Sequence, residues 1–286
     1  MIGYDQLGSN GRLGNQMFQY AALRGIAAKR NYDWVIPPQD YNHRDNYGLF
    51  ETFEMINVKN ENIGFINGQV VEEVGHSFSQ DFFDECPDNV SLNGYFQSEK
   101  YFTHISDQIR KDFTFKKDYL NSCQEIINSL ESPPIFLHIR RTDAVGREEY
   151  HPILKLDYFE SALSNWDDHT PVFVFTDDLS WCKSQSFFDH DRFLFNESNQ
   201  RYGYKTIDGT GQMQNTLLPQ VDLCLMSLCS GAIIANSSFS WWGAWLQNDR
   251  GLVIAPNPKN WFGPKLSHLD TSDMIPSRWK TQNCKP

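Results

Sequence analysis

Two arginines stand side by side at Arg140 and Arg141, with His138 two residues before the pair and Asp143 two residues after it. Adjacent guanidiniums offer planar forks for bidentate, charge-assisted bonds, and a diphosphate is the ligand such a pair fits. Taken alone, the pair is equally explained by solvation or ion pairing on a surface loop. The run Asn236-Ser237-Ser238-Phe239-Ser240 supplies hydroxyls and backbone N–H groups that cap a helix start and can also meet a phosphate there, although serines at a helix start are most often plain caps. Asp177, an acceptor only when ionised, suits the N1–H and amino donors of guanine; with Asp178 beside it, a helix cap is the plainer alternative. In the stretch Gly8-Ser9-Asn10-Gly11-Arg12-Leu13-Gly14 the glycines let the backbone approach a ligand closely, and Asn15 begins a helix from which it can donate a hydrogen bond. The stretch matches neither G-x-x-x-x-G-K-[ST] nor G-x-G-x-x-G. Together the clusters describe a site for a nucleotide diphosphate.

For the clusters to meet, the chain must bring them to one edge of a sheet. The apolar segment 135–139 precedes the arginines, 172–175 precedes Thr176-Asp177-Asp178, and 232–235 precedes the 236–240 run. Further apolar strands are expected at 193–195 and 252–255, with helices near 157–166, 179–187, 219–229 and 239–246. Such alternation implies a parallel sheet covered on both faces, and these sheets bind ligands at the carboxyl ends of their strands. The first half opens with an apolar segment at 1–7 and a helix near 15–29, whose Met17, Phe18, Ala21, Ala22, Gly25 and Ile26 share one face. Short strands at 34–36 and 90–92 and a helix at 101–113 follow. A helix at 119–130 stops at Glu131-Ser132-Pro133-Pro134, because proline cannot continue it. The domain boundary is expected there, giving domains 1–131 and 132–286. Trp241 and Trp242 either stack on a base or sugar or pack in the core, which is the commoner fate just inside a helix. For His138, a structural imidazole and a ligand contact both stay open.

The chain has 286 residues, room for two domains with cores of their own. Its net charge of −11 argues against nucleic acid, which needs a basic face to displace counterions. A content of 14% aromatic and 21% charged residues suits a folded protein rather than a disordered tail or coiled coil. The six cysteines form no C-x-x-C pair or dense framework, so structural thiols are expected rather than zinc ligands or disulfides. No cationic start leads into an apolar run, and no stretch approaches the ~20 apolar residues of a membrane span. A soluble, cytoplasmic protein is the expectation, with or without peripheral attachment to a membrane. Sequons at Asn89, Asn196 and Asn236 are read as chance matches.

His138-Ile139-Arg140-Arg141-Thr142-Asp143 resembles the H-x-R-R-x-D motif of the α1,2-fucosyltransferases of glycosyltransferase family eleven. The segments 11–17 with Gln19-Tyr20-Ala21, and 235–244, are similar to that family's G-x-L-G-N-Q-M-F-Q-Y-A and A-N-S-[ST]-F-S-W-W-G-A segments, and His151-Pro152 and Thr176-Asp177-Asp178 keep the order. The resemblance implies an α/β protein of GT-B type, two Rossmann-like domains facing each other across a cleft. GDP-L-fucose would be held by the C-terminal domain, and a galactose-containing glycan would lie largely against the N-terminal one. It implies Arg140 on the β-phosphate and Asp143 orienting the arginine pair or its neighbours. Asn236, Ser237, Ser238 and Phe239 would line the diphosphate, Asp177 would meet guanine, and Arg12, Gly14 and Asn15 would act on the donor, with His138 and Arg141 as further contacts. Arg12 stands where bacterial members commonly have glycine.

The resemblance further implies inversion by direct displacement, with Arg140 and helix-end amides stabilising departing GDP. No Asp-x-Asp lies beside the phosphate cluster, so neither metal nor cofactor is expected. Asp40, Asp45, Glu51 and Glu54 are the candidate general bases, none of them preferred. Rival readings are another nucleotide-sugar transferase, a protein O-fucosyltransferase and a non-catalytic glycan-binding module. The second should carry secretory targeting and disulfides, and the third needs no diphosphate clamp.

Overall fold

The apolar face that begins at Met17 builds the longest helix, α1 (Leu13–Arg30), in a computed structural model that describes residues 1–39, 48–195, 204–207, 213–216 and 218–284. All six positions of that face are buried. The helix ends at Asn31, whose left-handed conformation (φ 55°) lets its N–H reach the carbonyls of Ala27 and Ala28. Around α1 lie β1 (Ile2–Gly3), β2 (Trp34–Val35), the single turn α2 (Leu49–Thr52), β3 (Gln69–Glu72), α3 (Gln80–Glu85), β4 (Val90–Asn93) and α4 (Ser106–Asp112). The four strands form a parallel sheet in the order β2-β1-β4-β3.

The helix expected at 101–113 is broken. Short 3-10 turns at Glu99–Tyr101 and Thr103–Ile105 precede α4. The reason is tertiary: the Tyr101 carbonyl lies so close to Gly25 of α1 that a Cβ there would come within 1.9 Å of it. The backbone at 99–105 follows α1 rather than its own helical propensity. A buried clasp holds α4 to α1. The Asp112 carboxylate accepts from Arg24 and from Tyr20 OH (2.8 Å), and the Arg24 guanidinium lies 4.4 Å from the Trp34 ring centroid.

The second unit contains α5 (Lys117–Asn128), β5 (Ile135–Ile139), α6 (Leu156–Leu163), β6 (Val172–Thr176), α7 (Leu179–Lys183), β7 (Phe193–Phe195), the antiparallel pair β8 (Tyr204–Ile207) and β9 (Met213–Thr216), α8 (Pro219–Leu228), β10 (Ala232–Ile233), α9 (Ser238–Trp245), β11 (Val253–Pro256) and β12 (Lys280–Gln282). Six strands form a parallel sheet in the order β12-β11-β10-β5-β6-β7. Its core joins Leu137, Ile139, Val174, Ile233 and Ile254 of the strands with Tyr158, Phe159 and Leu163 of α6. Trp241 and Trp242 are wholly buried, so these two indoles belong to the core.

The division of the chain differs from the expected boundary at 131. Contacts separate Met1–Lys116 with Leu266–Arg278 from Lys117–Lys265 with Trp279–Pro286. The paired prolines do end a helix, but that helix, α5, packs on α8 of the second unit, with Cys123 Sγ 3.7 Å from the Val221 carbonyl. The returning segment is tied into the first unit by charge. Asp273 accepts from the Phe78 N–H (3.2 Å) and from Lys100, and Arg278 donates to Glu99 (2.6 Å).

Candidate functional site

In the second sheet the strand order reverses between β5 and β10, the kind of place where open parallel sheets bind ligands. Arg140 follows β5 and Asn236 follows β10, so the sequence clusters fall on that reversal. Arg140 donates from Nε and Nη2 to the two oxygens of Asp143 (2.9 and 2.8 Å) and from Nη1 to the Asn236 carbonyl (3.2 Å). A guanidinium has five N–H groups; these three bonds leave one on each terminal nitrogen. Asp143 therefore holds Arg140 by two bonds, and the fork keeps donors for an anion.

Arg141 is held differently. Its guanidinium stacks 3.9 Å from the Trp181 ring centroid and pairs with Asp178 (3.3 Å). Asp178 also caps α7 by accepting from the Trp181 N–H (3.1 Å), the cap reading of the Asp177-Asp178 pair. Asp177 accepts from the N–H groups of Arg141 and Thr142 (2.8 and 3.1 Å) and from the Thr142 hydroxyl (2.6 Å). Its carboxylate thus fixes the loop that carries the arginines, a role absent from the sequence reading. Trp181 was also missed: nothing marks a tryptophan as an arginine platform until α7 turns it toward β5.

Asn236 is 4% exposed, and its Nδ2 donates to the carbonyls of Pro152 and Trp261 (2.9 and 3.2 Å). That excludes a glycan on this sequon in the folded chain and explains why an amide is needed: it ties three loops together. Ser237 caps α9 by accepting from the Phe239 N–H (3.3 Å), while Ser238 and Phe239 are half-buried. The Tyr158 hydroxyl donates to the Ile234 carbonyl (2.9 Å) and so fixes the strand end before this run. His138 is buried 6.1 Å from the Phe239 ring, and its Nδ1 has no hydrogen-bond partner among the described residues. Burial pushes its imidazole down to about 4, Asp177 opposing and Arg140 reinforcing the shift, so it is neutral at physiological pH.

The residues predicted in the first half lie in the first unit. Arg12 is the exposed residue before α1, and Gly14 and Asn15 occupy its first turn. Gly11 has φ +90°, and a Cβ there would come within 2.3 Å of Asn15 Nδ2. Gln97 donates to Asn15 Oδ1 (2.8 Å). Of the candidate bases, Glu51 and Glu54 are exposed, while Asp40 and Asp45 lie outside the described residues, as does the Asn196 sequon. One carboxylate went unnoticed: burial raises Glu73, just after β3, to about 7. Among the described residues no group of three or more His, Cys, Asp or Glu side chains is placed to hold a metal ion. The Asp189-His190-Asp191 triplet precedes β7, at the amino end of the sheet. No helix among the described residues is long and apolar enough to cross a membrane.

Each of the two units is a parallel sheet with helices and a strand-order reversal, the arrangement of the GT-B fold. The sequence profile of glycosyl transferase family 11 matches residues 3–274, and the chain belongs to that family. An alpha-1,2-colitosyltransferase of Escherichia coli is 29% identical over 94% of this chain and 95% of its own length. The human galactoside alpha-(1,2)-fucosyltransferase 1 is 25% identical over 86% of this chain and 66% of its own. Among solved structures, NodZ alpha-1,6-fucosyltransferase soaked with GDP-fucose superposes with a TM-score of 0.52 at 12% identity, over 91% of this chain and 95% of that one. The chain is a glycosyltransferase of family 11.

Proposed function

We propose that this glycosyltransferase moves L-fucose from GDP-fucose to the 2-OH of a terminal galactoside, with inversion and without a metal ion. The observation that carries the reading is the Arg140 fork, locked by Asp143 at the strand-order reversal with donors to spare. The acceptor hydroxyl gives up its proton, in the end to solvent, and its oxygen forms the bond to fucose C1 as the C1–O bond to the β-phosphate breaks and the electron pair leaves with GDP. The costly feature is the charge growing on that phosphate. In this reading Arg140 and the α9 amides left over from the Ser237 cap stabilise it where it develops, with Arg141 and Ser237 to Phe239 lining the diphosphate and Arg12, Gly14 and Asn15 acting on the donor. Neutral His138 packs near the Phe239 ring. The 2-OH and the galactoside are favoured by the human relative, whose name carries both.

A second reading has its own support. The Escherichia coli relative at 29% identity is a colitosyltransferase, so the same clamp would serve a different sugar. GDP release should be measured in EDTA with lactose or N-acetyllactosamine, from GDP-fucose and from GDP-linked colitose, for wild type and Arg140→Ala. Acceptor-dependent release from GDP-fucose that vanishes in the variant supports the first reading. Release from the colitose donor alone supports the second, and tight GDP binding with no release on any galactoside sinks the acceptor.

A further inference from the structure

The sheet of the first unit has its own strand-order reversal. In the order β2-β1-β4-β3 the chain passes from β1 to β2 on one side and returns to β3 and β4 on the other, so the reversal lies between β1 and β4. Open parallel sheets bind ligands outside the carboxyl ends of the strands at such a place. Two loops leave the strands there, 4–12 after β1 and 94–98 after β4, and they are tied to each other. Gln19 of α1 is wholly buried, and its Nε2 donates to the carbonyls of both Asn10 and Gly94 (3.0 and 3.1 Å). The Tyr95 hydroxyl donates to Asn10 Oδ1 (3.2 Å).

The turn after β4 is strained around Tyr95. Gly94 has φ +150° and Phe96 has φ +51°, a left-handed conformation that a bulky side chain adopts only under constraint. Glu73, just after β3, supplies the constraint by accepting from the N–H groups of Tyr95 and Phe96 (2.8 and 2.9 Å). A Cβ at residue 94 would come within 2.4 Å of the Glu73 Cβ, so glycine is needed there for the carboxylate to reach the turn. Phe96 is wholly buried, while Tyr95 is 38% exposed with its amide and its hydroxyl both fixed. Ending a strand requires neither the strain nor an aromatic side chain held in water, whereas presenting a fixed ring to a ligand uses both. The groups beside the ring suit a sugar, whose pyranose has an apolar C–H face and hydroxyls that donate and accept. Asn10 engages Tyr95 through Oδ1, and its Nδ2 makes no hydrogen bond among the described residues, which leaves it to donate. Glu72 is exposed and accepts from Asn93 Nδ2 at the end of β4 (3.0 and 2.9 Å), with lone pairs to spare for a hydroxyl. Carboxylates at 72 and 73 disfavour an anion and suit a neutral polyol.

We propose that Tyr95 and Asn10 form a pyranose-binding platform that seats the acceptor glycan in the first unit. The inference rests on the reading above only in calling that glycan the acceptor. Tyr95→Ala should raise the Kd for lactose and for N-acetyllactosamine by about 10-fold or more, as when a stacking ring is lost. Tyr95→Phe keeps the ring and should bind both within about 3-fold of wild type, and Asn10→Ala should weaken both by about 5-fold, the worth of one hydrogen bond. GDP affinity should stay at the wild-type value in all three variants, because the Arg140 cluster is untouched. Wild-type galactoside affinity in Tyr95→Ala overturns the proposal. So does a loss of GDP affinity in that variant, which would assign the ring to the nucleotide.

A measurement without turnover separates the platform from the function itself. In protein carrying 13C-labelled tyrosine and saturated with GDP, the Tyr95 ring signals, identified by their loss in Tyr95→Phe, should shift as either galactoside is added. Unmoved signals overturn the platform even where transfer to a galactoside is measured. Shifted signals in a wild type that releases no GDP from GDP-fucose leave the platform standing and overturn the proposed function instead.

Discussion

At the scale of single residues, burial sets the charge of two groups. Glu73 and His138 carry opposite pH signatures. Between about pH 4.5 and 7 the folded chain keeps a proton on Glu73 that the unfolded chain has released, so its contribution to stability falls as pH rises through that window. For His138 the unfolded chain takes up a proton that the folded chain refuses between about pH 6.5 and 4, so its contribution falls as pH drops. Glu73→Gln removes the first effect alone. Measured by denaturant titration across pH 4.5 to 7, the stability of the variant relative to wild type should rise with pH, by up to ~1.4 kcal/mol per unit. A flat difference would mean that Glu73 is ionised throughout.

At the scale of elements, what positions the first-unit residues is the seat of α1. The helix has no side-chain cap at its start, and its place is set by contacts along its length: the Asp112 clasp and the approach of Tyr101 to Gly25. Gly25→Ala should therefore be costly although alanine is the better helix former. The new methyl meets backbone rather than a side chain that can turn away, and a loss of ~1–3 kcal/mol is expected from such overpacking. Thermal unfolding that shows the variant as stable as wild type would refute this close approach. The same contact explains why 101–113 reads as one helix and folds as two turns and a helix.

For the whole molecule, the arginine cluster sets two guanidiniums, Arg140 and Arg141, against three carboxylates, Asp143, Asp177 and Asp178, on a chain of net charge −11. In the proposed function, a diphosphate there would be met by directed N–H groups rather than by excess positive charge. If Arg140 and the α9 amides carry the leaving-group charge, EDTA and added Mg²⁺ or Mn²⁺ should leave acceptor-dependent GDP release unchanged. A rate that collapses in EDTA and returns with metal would transfer that role to a cation.

The sequence by itself determined the strands that carry the clusters, the arginine motif with Asp143, the serine cap of α9 and the family they define. All of these are written in neighbouring residues, where apolar runs, helix starts and motif spacing act over a few positions. Only the tertiary structure decided that Asp177 ties down the arginine loop, that Trp181 seats Arg141, and that Asn236 joins three loops. It also decided that the chain divides at 116 with 266–278 returning to the first unit. Gln97 and Glu73 were invisible for the same reason. Each acts on a partner more than twenty residues away, through a hydrogen bond whose existence depends on strand order and on a turn that no local pattern encodes.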